Sequence, residues 1–207
     1  MKVVVFGASG YSGGNIVAEL RSRGIDTVAV SRSGGDLVGD VTDADFVAKA
    51  VDGADVVVSA LPTRAPAGSG PELPTALASL VAGIRTTGAR LAVVGGAGSL
   101  RVGSEDGPRL VDTPSFPDEV KPIALEHDRA LDYLRELEGI DWFYLSPAAS
   151  YGSFNPGERT GAYRIGGEVL LADADGDSEI SGADYAAALV DEIVVPRHRN
   201  ARFSVAY

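Results

Sequence analysis

The hydrophobic positions of this chain form two alternating patterns, short continuous runs and longer runs at helical spacing. The first run, Val3–Phe6, is β-branched and aromatic and ends at a glycine, which is typical of a strand buried on both faces of a parallel sheet. In the next segment, Asn15–Arg23, apolar residues recur at helical spacing, and Gly24 stands where a helix C-cap belongs. A strand followed directly by a helix predicts the start of a βαβ unit.

The same alternation continues to the C-terminus. It predicts further strands at Thr27–Val30, Leu37–Val38, Asp55–Leu61, Leu91–Val94, Trp142–Leu145 and Arg202–Tyr207. It predicts further helices at Ala44–Val51, Pro74–Thr86, Asp118–Leu137 and Ala183–Val194. Irregular sequence fills Pro62–Pro71, Gly95–Pro117 and the Gly-rich segment Tyr163–Leu171.

This order of elements predicts the α/β fold class, as a Rossmann fold with a doubly wound, mostly parallel sheet. The length of 207 residues predicts one domain, 1–207, in which residues 148–182 form a small C-terminal segment that covers the substrate. In such sheets, ligands bind outside the carboxyl ends of the strands. Functional residues are therefore expected in the loops that follow the strands.

The loop after the first predicted strand has three glycines in the pattern GxxGxxG. It reads Gly7, Ala8, Ser9, Gly10, Tyr11, Ser12, Gly13. Gly7 permits the tight turn, Gly10 lets the backbone approach a pyrophosphate, and Gly13 allows close helix packing. The N–H groups near Tyr11 and Ser12 would face the anion. Its position between strand and helix favours a dinucleotide site over a turn that only joins the two, and no Walker lysine follows, which excludes a P-loop.

The end of the second predicted strand bears on which nicotinamide cofactor binds. NAD-binding proteins usually place an acidic residue there to hold the ribose hydroxyls. This chain has Ser31, Arg32 and Ser33 instead, and an arginine flanked by hydroxyls suits the 2′-phosphate of NADPH. We predict a preference for NADPH. NADH is the alternative, because Asp36 is the nearest acid and Arg32 could be a solvated loop residue.

The net charge of the chain restricts the classes of molecule that it is expected to bind. With 18 basic and 29 acidic residues, the formal net charge is −11, which repels nucleic acid and anionic lipid. The chain has no cysteine, its first apolar run is too short for a signal peptide, and no run approaches a membrane span. We expect a cytoplasmic monomer or homodimer that binds small molecules, without nucleic acid or membrane partners.

An acidic segment, Asp173–Glu179, resembles the start of a calcium-binding EF-hand loop. However, Gly176 is the fourth residue rather than the sixth, and the twelfth is Asp184 rather than glutamate. Ser181 with Asp184 fits better as a capping box that opens the last helix. We therefore predict no metal site.

Several motifs together carry a family resemblance that covers nearly the whole chain. They are GASGYSG, GDVTDADFVAKAVDGADVVVSAL, VVGGAGSL, the 117–137 helix region, LSPAA, GERTGAYRIGG, DGDSEISGADYAAALVDEI and RFSVAY. With these motifs the chain resembles the NAD(P)H-binding, NmrA-like branch of the atypical short-chain dehydrogenases. Within that branch it is similar to the group provisionally named NADH-flavin reductases, which are named by similarity to flavin and biliverdin reductases.

The resemblance implies positions for the rest of the cofactor. Asp40 and Val41 would flank the adenine, and Pro147 would position the nicotinamide carboxamide. The adenosine and nicotinamide-ribose side would be lined by Ala60, Leu61 and Pro62, and the nicotinamide itself by Gly95, Gly96 and Ala97. The alternatives are that Asp40 caps the next helix and that the glycines only end a strand.

Catalytic residues are less evident. None of the seven tyrosines has a lysine four residues later, so the Tyr-x-x-x-Lys pair of alcohol-oxidising short-chain dehydrogenases is missing. Flavin reduction tolerates this, because hydride passes to a stacked flavin and the proton can come from water. Ser99 and His127 are candidate proton donors or substrate binders, although a surface or structural role is favoured for His127. Lys121 could neutralise an anionic acceptor or solvate the start of its helix.

The acceptor would need a flat apolar slot above the nicotinamide. Phe116, Tyr151 and Phe154 could form it, or could be core and loop anchors. Arg159, with Arg164 nearby, would fit a phosphate-bearing acceptor such as FMN, although a salt bridge to Glu158 or Glu168 is the plainer interpretation.

These features favour an NAD(P)H-dependent reductase that passes hydride from NADPH to a flavin, FMN or FAD, or to a quinone-like acceptor. One alternative is a non-catalytic dinucleotide sensor of the NmrA type that regulates a partner. Another is a tailoring reductase of secondary metabolism. A fold alone does not separate these functions.

Overall fold

A computed structural model of the protein describes residues 1–63 and 70–207. Within them the strands are β1 (Lys2–Phe6), β2 (Asp26–Ser31), β3 (Leu37–Val38), β4 (Val56–Ser59), β5 (Arg90–Val94), β6 (Trp142–Ser146), β7 (Arg164–Gly166) and β8 (Ala201–Ala206). The α-helices are α1 (Tyr11–Ser22), α2 (Ala44–Ala50), α3 (Leu73–Ile84), α4 (Lys121–Arg135) and α5 (Gly182–Val194). Two short 3₁₀ turns occur at Leu110–Asp112 and Asp118–Val120.

The described strands form one sheet in the order β3-β2-β1-β4-β5-β6-β8-β7. Every neighbouring pair is parallel except β7 and β8. The strand order reverses between β1 and β4, which makes a switch point at the carboxyl ends of those strands. The predicted Rossmann fold with a doubly wound, mostly parallel sheet is therefore confirmed.

Helices cover both faces of the sheet. Because side chains alternate along a strand, Val4 of β1 packs with α2, α3 and α4 on one face, and Val5 packs with α1 and α5 on the other. Two strands that were predicted as continuous apolar runs, β1 and β4, are buried along nearly their whole length. Burial on both faces is what a parallel sheet between two helical layers requires.

The structure differs from the sequence prediction in three places. Helix α1 begins at Tyr11 rather than Asn15, because Gly10 of the glycine loop is its N-cap. The predicted helix Asp118–Leu137 is a 3₁₀ turn followed by α4, which ends at Arg135. Strand β7 was not predicted, since three residues paired antiparallel with β8 show no period. The predicted loop Pro62–Pro71 includes residues 64–69, which lie outside the described residues.

None of the helices in the described part of the chain is both long and apolar enough to cross a membrane.

Candidate functional site

The loop after β1 is held close to two neighbouring strands. The N–H groups of Gly7 and Ala8 donate to the carbonyl of Val30 over 3.0 and 3.1 Å. Gly7 has φ +82°, and a Cβ there would lie 2.2 Å from the carbonyl oxygen of Ala60. Both the turn and the close approach therefore require glycine at this position.

The same loop presents the start of α1 to the carboxyl edge of the sheet. A Cβ on Gly13 would lie 2.1 Å from the carbonyl oxygen of Gly7, so Gly13 lets the helix pack directly under the loop. Gly10 is the N-cap and supplies no capping side chain. The first N–H groups of α1 are therefore open to an anion, and this cradle fits the pyrophosphate of a dinucleotide.

A cleft of about 1180 Å³ runs along the carboxyl ends of the strands. Every residue predicted to contact the cofactor lines it except Gly13, whose role is in helix packing. These lining residues are Gly7, Ser9, Gly10, Tyr11, Ser12, Ser31, Arg32, Asp40, Val41, Ala60, Leu61, Pro62, Gly95, Gly96, Ala97 and Pro147. The geometry thus brings together segments at the carboxyl ends of β1 to β6.

Asp36, the acidic alternative to Arg32, is bound to residues other than those of the cleft lining. The carboxylate of Asp36 accepts a hydrogen bond from the N–H of Ala29 over 2.7 Å and pairs with Arg21 at 2.6 Å. The Ala29 hydrogen bond, with the charge of Arg21, holds the pKa of Asp36 below its usual value. Asp36 does not line the cleft, whereas Arg32 does.

Asp40 also lines the cleft rather than capping α2. Its carboxylate accepts hydrogen bonds from the N–H and the hydroxyl of Thr42, at 2.9 and 2.8 Å, which lower its pKa. The helix is capped by Asp43, whose carboxylate accepts from the N–H groups of Asp45 and Phe46. The alternative that Asp40 caps α2 is therefore wrong.

The loop after β5 is fixed by a buried tyrosine on β6. A Cβ on Gly95 would lie 2.2 Å from the ring of Tyr144, so the ring occupies the space of a side chain. The N–H of Gly96 donates to the Tyr144 hydroxyl over 2.8 Å, and that hydroxyl donates to the carbonyl of His127 over 3.2 Å. The hydroxyl of Ser146 donates to the Gly96 carbonyl over 2.9 Å. These bonds link the end of β5 to α4 and hold the backbone rigid beside the cleft.

His127 on α4 lines the cleft against this loop. A Cβ on Gly96 would lie 3.0 Å from the Cβ of His127. The Nδ1 atom is buried and has no hydrogen-bond partner among the described residues. Burial lowers the pKa of His127 to about 4, so the ring is neutral at neutral pH. His127 therefore lies in the cleft wall rather than on the outer surface, and a catalytic role for it stays a prediction.

The other two catalytic candidates lie outside the lining. The hydroxyl of Ser99 accepts a hydrogen bond from the buried guanidinium of Arg202 over 2.9 Å, and Arg202 also pairs with Glu168. The ammonium of Lys121 pairs with Asp118 at 2.8 Å. Each of these side chains is thus bound to another residue, and their catalytic roles stay predictions.

Phe116, Tyr151 and Phe154 line the cleft beyond the glycines after β5. The Tyr151 ring contacts Tyr185 at 4.6 Å between ring centres. Its hydroxyl donates to Oγ of Ser12 over 2.8 Å, and burial raises its pKa, so it stays protonated. Phe154 is 76% exposed. One aromatic ring is thus fixed to the glycine loop, and another stands open at the rim.

Arg159 does not line the cleft, which corrects its predicted contact with the acceptor. Its guanidinium pairs at 2.5 Å with the buried carboxylate of Glu19 on α1, rather than with Glu158 or Glu168. This hydrogen bond is the main reason why the pKa of Glu19 lies below its usual value. Arg164 donates to the carbonyl of Tyr207.

Asp184 is a buried carboxylate whose role the sequence did not reveal. It accepts hydrogen bonds from the N–H groups of Thr160 and Gly161, at 2.7 and 2.9 Å, and from the hydroxyl of Tyr207, at 2.6 Å. The capping box predicted only that Ser181 caps α5, which its 3.1 Å bond from the Asp184 N–H confirms. The side chain of Asp184 instead fastens the 160–161 turn to α5.

The acidic segment 173–179 forms a turn that is held by hydrogen bonds within the segment. The carboxylate of Asp173 accepts from the N–H groups of Asp175 and Asp177, at 3.0 and 2.9 Å. Across residues 1–63 and 70–207, no group of three or more His, Cys, Asp or Glu side chains is arranged to hold a metal ion.

Three relatives are similar to the chain over nearly its full length. The Bacillus subtilis protein YwnB is 38% identical, and the alignment covers 99% of this chain and 98% of YwnB. A Burkholderia pseudomallei structure, provisionally named as an exported protein, is 39% identical with a TM-score of 0.87 and 100% coverage of both chains. A Streptococcus pneumoniae structure, provisionally named an NADH-flavin reductase, is 34% identical with a TM-score of 0.88, covering 100% of this chain and 99% of that one.

A family model described as NAD(P)H-binding matches residues 7–196, from the first glycine of the loop to beyond α5. That span includes the glycine loop and all the cleft segments described above. The chain belongs to the NAD(P)H-binding family, as its motifs predicted.

Proposed function

We propose that the protein is an NAD(P)H-dependent oxidoreductase that passes hydride from NADPH to a flat acceptor of the flavin or quinone type. The observation that carries this proposal is the continuity of the cleft. Its lining includes the glycine loop, Gly95 and Gly96, and the apolar side chains of Phe116 and Ile123. A dinucleotide bound along the first part leaves an apolar space for a second, planar molecule. The name of the Streptococcus pneumoniae relative supports the same reaction class.

The preference for NADPH rests on the side chains after β2. Arg32 lines the cleft at this position, and its guanidinium suits a 2′-phosphate. Asp36, which would favour the ribose hydroxyls of NADH, is bound to Ala29 and Arg21. The net charge of −11 makes such a local cation important for an anionic cofactor.

A bound nicotinamide supplies hydride from C4, and this hydride with one proton from water reduces a flavin or quinone by two electrons. The protein positions the reactants. The backbone of Gly95 and Gly96, held by Tyr144 and Ser146, would support a bound nicotinamide, and the aromatic side chains of the cleft would exclude water from it. His127 is neutral, so it offers a hydrogen bond to the acceptor or the carboxamide without adding charge.

The test is anaerobic oxidation of NADPH and NADH with riboflavin, FMN, FAD and a panel of quinones. We expect saturable turnover with at least one acceptor, and a higher kcat/KM for NADPH than for NADH. Tight cofactor binding without turnover of any acceptor would reject the reductase and favour the dinucleotide sensor. The Lys49→Ala variant is a control, because that exposed side chain on α2 lies outside the cleft lining and its loss should leave cofactor affinity unchanged.

A further inference from the structure

We propose that the acceptor end of the cleft selects an uncharged planar acceptor and discriminates against phosphorylated flavins such as FMN. This inference rests on the proposed function, since it names the acceptor class of that same site. It contradicts the expectation from sequence that an arginine would hold an acceptor phosphate.

The acceptor end is adjacent to the expected nicotinamide position. A Cβ on Gly98 would lie 2.6 Å from the Cβ of Ala124, so the loop after β5 packs directly on the first turns of α4. From there the wall is mainly apolar. It includes Val102, Leu110, Phe116, Val120, Ile123 and Leu170. Such a surface stabilises a flat ring by burying it, and it offers little to a charged group.

The charged side chains at this end are acidic. Asp177 and Glu179 both line the cleft. Their segment is held in place because the N–H of Ser150 donates to the Ser178 carbonyl over 2.8 Å, and the N–H of Tyr207 donates to the Glu179 carbonyl over 3.0 Å. The backbone that carries these two carboxylates is thus held beside the segment that follows β6.

The cation that lines the cleft is far from this end. Among the lining residues that the structure describes, Arg32 is the one lysine or arginine, and it follows β2. Four strand steps separate β2 from β6 in the sheet order, which is roughly 19 Å at the usual strand spacing. If Arg32 binds the 2′-phosphate, it cannot also neutralise an acceptor phosphate.

Arginine side chains that are close in sequence to the lining residues Val102 and Leu110 are bound to other groups. Arg109 pairs with Asp112 and Asp128, at 2.7 and 2.5 Å. Arg101 donates to the carbonyl of Gly107 over 3.1 Å. Neither side chain lines the cleft. Arg159 and Arg164 also bind other groups, and Lys121 pairs with Asp118. In the part of the cleft that the structure describes, an acceptor phosphate would therefore meet carboxylates and no lining cation at this end.

Riboflavin and FMN allow a direct test, because they share one redox ring and differ only by the phosphate. We expect the kcat/KM of NADPH oxidation to be roughly tenfold higher with riboflavin than with FMN at low ionic strength. The ratio should fall as salt is raised, since added ions screen the repulsion. Menadione, an uncharged quinone, should behave as riboflavin does.

The double variant Asp177→Asn with Glu179→Gln removes both carboxylate charges while conserving size. We expect it to raise the kcat/KM for FMN several-fold more than that for riboflavin, so that the riboflavin to FMN ratio falls. Asp175→Asn is the matched control, because Asp175 lies in the same segment and has the same charge but does not line the cleft. The control should leave the riboflavin to FMN ratio unchanged.

Equilibrium binding separates this inference from the proposed function. Quenching of flavin fluorescence by the NADP⁺-bound protein gives the dissociation constants of riboflavin and FMN without turnover. If no acceptor is reduced but riboflavin binds more tightly than FMN, the reductase fails and the selectivity stands. Equal or tighter binding of FMN, or binding of neither flavin, overturns the selectivity whether or not turnover occurs.

Discussion

The hydroxyl of Tyr151 donates a hydrogen bond to Oγ of Ser12, 2.8 Å away and 139 positions earlier in the chain. Ser12 belongs to the glycine loop and lies in the first turn of α1, and Tyr151 lies in the segment after β6. This single bond therefore joins the two sides of the cleft. The segment that would cover the acceptor is positioned by the same helix that would hold the pyrophosphate.

Replacing Tyr151 with phenylalanine tests this link. We expect Tyr151→Phe to lower the free energy of unfolding by about 1 kcal/mol, the usual net contribution of one hydrogen bond, while the ring contacts remain. Urea denaturation measures the change. Tyr133→Phe is the control, because Tyr133 lies on α4 away from the cleft lining. Equal effects in the two variants would contradict a specific role for the bond.

The glycine loop offers a comparison between two positive-φ glycines. Gly7 and Gly24 have φ of +82° and +69°, but a Cβ on Gly7 would meet Ala60 at 2.2 Å, whereas a Cβ on Gly24 would meet nothing within 4 Å. Both alanine variants incur the backbone strain, and only Gly7→Ala adds a steric clash. We expect Gly7→Ala to be less stable than Gly24→Ala by about 1 to 3 kcal/mol, and to lose cofactor binding. Thermal unfolding and cofactor titration measure both effects, and similar stabilities would disprove the close approach.

Arg32 should distinguish the two nicotinamide cofactors. We expect Arg32→Ala to weaken NADPH binding by about tenfold or more and to leave NADH binding nearly unchanged, because only NADPH carries the 2′-phosphate. Calorimetric titration with both cofactors measures this. Lys49→Ala, which removes an exposed positive charge on α2 outside the cleft lining, is the control. A similar loss for NADH and NADPH would reject the phosphate contact.

His127 should stay neutral over the whole physiological range. Its pKa is lowered from 6.5 to about 4 by burial, so the unfolded chain binds a proton more readily than the folded one between these pH values. Stability should therefore fall as pH decreases from 6.5 towards 4, with a contribution of up to roughly 3 kcal/mol from this residue. Titration of the imidazole by NMR gives the pKa directly, and His127→Gln should show a smaller loss of stability on acidification. A measured pKa near 6.5 would contradict the burial of the ring.

The fold and the cleft-lining residues around the glycine loop could be predicted because their physical requirements produce local patterns in the sequence. Continuous apolar runs give the buried parallel strands, and glycines are needed where a Cβ would meet Ala60 or Tyr144. The residues that line the proposed acceptor end of the cleft show no such pattern in the sequence. Leu110, Ile123 and Leu170 come from irregular or distant segments, and nothing local distinguishes them from loop anchors.

Long-range pairings explain the incorrect predictions. Arg159 was expected to bind an acceptor phosphate or a nearby glutamate, but its partner, Glu19, lies 140 positions away on α1. Ser99 binds Arg202, which lies 103 positions away. Such pairs depend on which elements the folded sheet brings together, and a pattern along the chain does not encode them.

Asp184 should hold the turn that follows Arg159 in place. Burial raises the pKa of Asp184, but hydrogen bonds from Tyr207, Thr160 and Gly161 together lower it by more than burial raises it. The carboxylate is therefore more acidic in the folded state than in the unfolded chain. Its contribution to stability is therefore present above the unfolded pKa of about 3.9 and is lost as pH falls through the lower folded value. Asp184→Asn should remove this acid-dependent loss and lower the free energy of unfolding at neutral pH by about 1 to 3 kcal/mol. Hydrogen exchange should show faster exchange at the N–H groups of Thr160 and Gly161.

The exposed residue Asp26 provides the control for this last variant, since Asp26→Asn makes the same chemical change at a solvent-facing position at the start of β2. Its stability at neutral pH and the exchange at Thr160 and Gly161 should match those of the unmodified protein. Unchanged exchange in Asp184→Asn would show that the 160–161 turn is held by other contacts. In that case the pairing of Arg159 with the buried carboxylate of Glu19 would be one of the contacts that hold this segment on α1, together with the hydrogen bond from the Tyr11 hydroxyl to the Pro156 carbonyl.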